Sequence, residues 1–174
     1  MTTLDHDTGV YNVEGSVTAW MAGQLLSTLP PLALTATVNV NHPEQALTPP
    51  QWSIHHLPGG SDVVGFQGGN VDGGKKGRRR FGIAEVNCWA SRSVTSWRAQ
   101  LAQMGDAVTR AVINLLATGG SIPIYDFYTS AGAPAALTYR IVIERAEEMA
   151  VTPDPNPDIE RKRILVYYHW TERN

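Results

Sequence analysis

Between Arg78 and Leu115 the hydrophobic period of the chain changes once, and that change limits the folds open to it. From Arg78 to Ala90 apolar residues alternate, with Phe81, Ile83 and Trp89 on one side and Val86 and Cys88 on the other. Successive side chains of a strand point to opposite faces, so this reads as a strand with two apolar sides. From Val94 the spacing follows a helix of about 3.6 residues per turn, through Trp97, Leu101, Met104, Val108, Ala111, Val112 and Leu115. Ser91 or Ser93 serves as its opening signal and Gly119-Gly120 as its close. A strand running straight into a long helix excludes both an all-β and an all-α fold.

The flanking segments fill in the order. Ser16 reads as the N-cap of an earlier helix carrying Val17, Trp20, Met21, Leu25 and Leu29, which Pro30-Pro31 ends. Leu34 to Val40 and Gln51 to Leu57 alternate as strands, the second with Trp52, Ile54 and His56 on one face. That second strand is expected to pair with 78–90, making 58–77 the tip of a long hairpin. The tip holds eight glycines and is expected to be a flexible arm, and residues 1–14 a loosely ordered N-terminus. After the long helix come strands at Ile122–Tyr128, Leu137–Glu144 and Ile164–Trp170, the last two separated by a proline-rich stretch from Pro153 to Asp158. The expected architecture is α+β, order α-β-β-α-β-β-β. It is a single domain over 1–174, with an antiparallel or mixed sheet and two helices packed on one face.

Charge is unevenly placed. Residues 1–74 carry six acids and neither lysine nor arginine, whereas Lys75, Lys76, Arg78, Arg79 and Arg80 are crowded into six positions. A basic patch in an otherwise acidic chain points to a partner surface, to nucleic-acid phosphates or to a solvated loop end. No apolar run approaches the roughly 18 residues of a membrane span, and the polar N-terminus has no signal-peptide pattern. The single Cys88 has no internal disulfide partner. A cytoplasmic site of folding is expected.

Catalytic and metal signatures fail on inspection. Gly69 to Lys75 has the spacing of a phosphate-binding loop, but Lys76 stands where a hydroxyl residue must hold magnesium, and a strand follows instead of a helix. His55 and His56 are neighbours on a strand, so they face opposite ways and do not share one metal. His42 and His169 lie far from them in the chain. Glu147 and Glu148 likewise diverge, which makes them a poor acid–base pair. No Gly-x-Ser-x-Gly elbow occurs, and Cys88 on a strand reads as core. No enzyme activity, catalytic residue, metal or cofactor is expected. The residues expected to meet other subunits are Lys75, Lys76, Arg78, Arg79 and Arg80, their acidic counterparts Glu144, Glu147 and Glu148, and the aromatics Tyr168 and Trp170 of the terminal strand.

With the strand Phe81–Ala90 running into the helix Val94–Leu116, and the late pair Leu137–Met149 and Arg161–Thr171, the chain resembles the tail terminator proteins of long-tailed bacteriophages over about residues 15–171. The resemblance implies a structural virion protein, assembled in the host cytoplasm, that forms a hexameric ring. Such a ring caps the tail tube, ends its polymerisation and joins the tail to the neck or head-completion protein. Its partners would be copies of itself, the tube protein and the neck, with passive contact to genomic DNA in the lumen and none to a membrane. Another tail or neck protein, or a small nucleic-acid-binding module using Lys75–Arg80, remains an alternative.

Overall fold

The computed structural model describes residues 6–27, 37–39, 49–57, 59–64, 77–129, 133–151 and 156–173. A 3-10 turn, His6–Thr8, leads into helix α1 (Val10–Ser27). Strands β1 (Thr37–Asn39), β2 (Gln51–Leu57), β3 (Ser61–Val64) and β4 (Gly77–Ser91) follow. Helix α2 (Trp97–Ala117) then precedes β5 (Ser121–Tyr125), β6 (Ala136–Met149) and β7 (Ile159–Arg173). All strands share one sheet in the order β1-β2-β4-β7-β6-β5, with β3 paired to β4 off that path. β1 is parallel to β2 and the other pairings are antiparallel, so the sheet is mixed and the class α+β.

The two helices cover one face, as the alternation of the strands dictates. Ala84 lies opposite Val166 and Val86 opposite Ile164, which puts Ala84, Val86, Cys88 and Ala90 on the side of Ile164, Val166, Tyr168 and Trp170. Trp52, Ile54, Ile122, Ile124, Ile141 and Ile143 join them in a single core. The helices supply Val13, Val17, Met21 and Leu25 from α1 and Leu101, Met104, Val108 and Val112 from α2. Each large aliphatic buried there contributes about 1.5–3 kcal/mol. The Trp52 indole also donates to the Met104 carbonyl at 3.3 Å, fixing β2 to α2.

Three boundaries differ from the sequence reading. Ser16 is not a cap: it lies inside α1, fully buried, where its hydroxyl donates to the Asn12 carbonyl at 2.6 Å and accepts the Tyr125 amide at 2.8 Å. The Asn12 side chain accepts the Phe127 amide at 2.8 Å, so α1 is fastened to the end of β5 by two buried polar residues. Residues 6–14 are consequently structured: the Trp170 indole donates to the Thr8 carbonyl at 3.0 Å, and Val13 begins the apolar stripe.

Helix α2 starts at Trp97, later than the serines suggested, because Ser91 is the last residue of β4 and pairs with Ile159. Its end is as expected. Gly119 and Gly120 adopt positive φ of 109° and 68°, and their amides cap the Leu116 and Leu115 carbonyls.

The hairpin is longer than expected at its base. Because β7 lines one edge of β4 throughout, β2 and β3 must both lie along the other edge, one continuing the other. From Leu57 to Ser61 the chain takes one more residue than β4 does from Ile83 to Arg80, which is a β-bulge. The Phe81 amide donates to the Gly60 carbonyl at 2.9 Å inside it. Residues 61–64 are therefore strand, and residues 65–76 of the expected arm lie outside the described residues.

Candidate functional site

On β4 the buried hydrophobic core begins at Ala84, whereas the strand begins at Gly77. Across the ladder the core runs on in β7 through Tyr168 and Trp170, opposite Gly82 and Arg80, so only Gly77–Arg79, with part of the basic segment, reaches past it, between β3 and the end of β7. Lys75 and Lys76 lie outside the described residues, and of Arg78 only the backbone is described, opposite Val63 and Glu172. Arg79 is exposed on the helix-free face. It donates to Nε2 of His169 at 3.0 Å, lies 3.7 Å from Glu144, and stacks on Phe81 at 5.3 Å. Nδ1 of His169 in turn lies 2.7 Å from the same Glu144 oxygen.

Arg79 and Glu144, expected to meet across a subunit boundary, thus meet within one chain. Glu147 sits 3.7 Å from Arg145, whose guanidinium covers the Tyr167 ring at 3.9 Å. Glu148 points to the other side of the sheet and pairs with Lys162 at 3.0 Å. Further along the helix-free face Arg163 binds Glu85 through two nitrogens, at 2.7 and 2.6 Å. Acids and bases on this face neutralise one another locally, over the half-exposed Phe81, Ile83 and Tyr167. Screened pairs of this kind contribute about 0.2–1 kcal/mol each and chiefly fix orientation.

Tyr168 and Trp170 are not on that surface. Both face the helices and are 2% and 4% exposed, stacked on each other at 5.9 Å. The expectation that they contact another chain is corrected: they fill the core beneath the start of α1. Gly82 lies directly opposite Tyr168, and a Cβ there would come within 2.3 Å of the phenol ring. The close approach of this ring to β4 requires glycine.

Beside these aromatics a groove of about 360 Å³ opens between the first turns of α1, the β2–β3 bulge and β4. Val10, Leu57 and Trp170 form apolar walls, and Glu14, His56, Arg80 and Tyr168 supply polar groups. His56 lies 2.9 Å from the Tyr168 hydroxyl and 2.9 Å from the Thr18 hydroxyl. Burial drives its imidazole down to about 4, against the raising effect of the Glu14 backbone carbonyl as an acceptor, with the His55 charge adding to the decrease. Burial raises Glu14 above the ordinary carboxylate range. Burial also raises the Tyr168 phenol, as does the Glu14 charge. His55 faces away, within 3.5 Å of Ser53, so the two histidines diverge as their adjacency required.

No family model matches the sequence, and no curated protein matches it. Among solved structures, a chain from the virion of a native gene transfer agent particle superposes with a TM-score of 0.43 at 16% sequence identity, covering 94% of this chain and 99% of that one. At that score the likeness carries no argument about function.

Among the described residues no three histidine, cysteine or acidic side chains come together as a metal site, and no helix is long and apolar enough to cross a membrane. Cys88 is fully buried, and burial pushes its thiol up to about 12, out of reach of nucleophilic chemistry at neutral pH. Sequence reasoning overlooked His169, Arg145 and Tyr167 on the open face and Glu14 in the groove. Tyr167 and His169 alternate with the core-facing Val166, Tyr168 and Trp170, and only the pairing of β6 with β7 brings Glu144 to them.

Proposed function

We propose that this chain is a structural virion protein, a tail terminator whose copies form a six-membered ring at the end of a phage tail tube. The observation that carries the reading is the end of the β3–β4–β7 ladder at Gly77–Arg79, which runs past Trp170, the last core side chain of β7, and carries the exposed Arg79. An extension of this kind has little to bury within its own subunit, and a neighbouring subunit or the tube end gives it a surface to cover. The order of elements agrees with the resemblance to that family, and the charge-balanced open face offers a second, orienting contact. A cyclic arrangement uses two different patches on each copy and closes by rotation.

The ring reading also alters which charges act between subunits. Arg79 and Glu144 are engaged in their own chain, so the contact is carried by other groups of the hairpin and of the open face. Mass photometry of the purified protein, alone and mixed with tail tubes, tests the proposal. Six-copy particles, or capping of tube ends, are expected; a strict monomer under both conditions would overturn it.

A further inference from the structure

The groove between α1 and the β2–β3 bulge has a feature that the assembly reading does not use. Glu14 lies on its wall, partly removed from water, and no ion pair or hydrogen bond to its carboxylate is formed by any described side chain. Glu85, Glu144, Glu147 and Glu148, by contrast, each have a cation at hand. A partly buried carboxylate that no described side chain pairs with, not even the Arg80 of the same groove, gains from a positive group that enters and reaches it. The surroundings suit an organic cation with an aliphatic stem. Val10, Leu57 and the edge of Trp170 provide apolar contact, and the Tyr168 hydroxyl and Glu14 provide acceptors at the inner end.

Size and rim narrow the source. About 360 Å³ lies at the small end of ligand sites and suits one long side chain. The rim at Gly59 and Gly60 is exposed backbone without side chains, along which an extended peptide can lie. A Cβ at Gly59 would strike the Phe81 carbonyl at 1.7 Å, so the bare rim is built into the bulge. We propose that this groove receives a single lysine or arginine side chain presented by an extended segment of a partner protein. The inference is independent of the terminator reading and holds for any partner chain.

Arg80 gives the proposal a sign that can be read. It lines the same groove, has partners within the chain, and opposes an incoming cation. The test is an NMR titration of the full-length protein, following the Trp170 indole, with acetyl-Gly-Lys-Gly-amide and its arginine, norleucine and glutamate counterparts. Lysine and arginine peptides are expected to bind at least tenfold more tightly than norleucine. Glu14→Gln is expected to abolish that preference, and Arg80→Gln to strengthen binding. Gly60→Trp is expected to block the groove; a Cβ at Gly60 meets nothing within 4 Å, so the fold should persist. Equal binding of norleucine, preference for glutamate, loss of lysine binding in Arg80→Gln, or unaltered binding in Gly60→Trp would each overturn the proposal. Tighter binding of free tetramethylammonium than of the lysine peptide would overturn the peptide source.

Discussion

His56 and His55 stand side by side in the sequence yet differ in everything that matters to a histidine. His56 is enclosed by Thr18 and Glu14 on α1, Tyr168 on β7 and its neighbour His55, and burial lowers its protonation to about 4. An unfolded histidine titrates near 6.5, so below that pH the unfolded chain takes up a proton that the folded one refuses. Stability is therefore full above about 6.5, falls as the pH drops through the window, and levels off below about 4. At pH 4.5 the loss from this one group is about 2 kcal/mol. Denaturant melts at pH 7 and 4.5 check it: His56→Gln should lack this increment, and equal acid sensitivity in both proteins would contradict the assignment. Gly82→Ala brings a methyl group against the Tyr168 ring and is expected to cost about 1–3 kcal/mol in the same assay. At this scale the sequence was half legible. It showed that Tyr168 and Trp170 share a face and that Tyr167 lies on the other. It did not show which face the helices would cover, because strand alternation is symmetric and both faces of β7 carry aromatics.

The elements were legible wherever periodicity was long. β2 was read to its last residue, and α2 was read through its glycine close, because a stripe over many turns has few competing explanations. The failures lie at short signals. Ser16 looked like a cap because serine often is one. Its actual partner, the Tyr125 amide, is distant in sequence and visible only once β5 packs on α1. This assigns Ser16 a tertiary role with a measurable consequence. Ser16→Ala leaves the Tyr125 amide without its acceptor and is expected to cost about 1–3 kcal/mol. Amide exchange at Tyr125 should accelerate with it; unchanged protection there would argue that the bond contributes nothing. β3 escaped notice because Ser61–Val64 is too short for a period to register, and the bulge at Gly59-Gly60 shifts the register just before it.

For the whole molecule, the mixed sheet with two helices on one face followed from the run of strands and helices, while the internal pairing of the basic segment did not. Sequence suggested opposite charges on different copies, since the chain segregates them by position. The fold instead brings β6 and β7 beside β4, and Arg79 finds Glu144 through His169. Glu144→Gln is accordingly expected to leave particle mass unchanged and to cost under about 1 kcal/mol, because the pair is solvent-screened. A salt-sensitive loss of assembly in that variant would restore Glu144 as an acceptor for a neighbouring subunit.

The β4–β7 ladder has a mechanical consequence. All 15 residues of β4 are paired with β7, and its cross-links run perpendicular to the strands. Tension applied along the axis of the hairpin therefore loads many rungs in shear at once, whereas peeling at one end would break them singly. Pulled at its Gly77 end, β4 behaves as a stiff tie. Axial load on β4 is therefore passed through the ladder to β7 and the core beneath it.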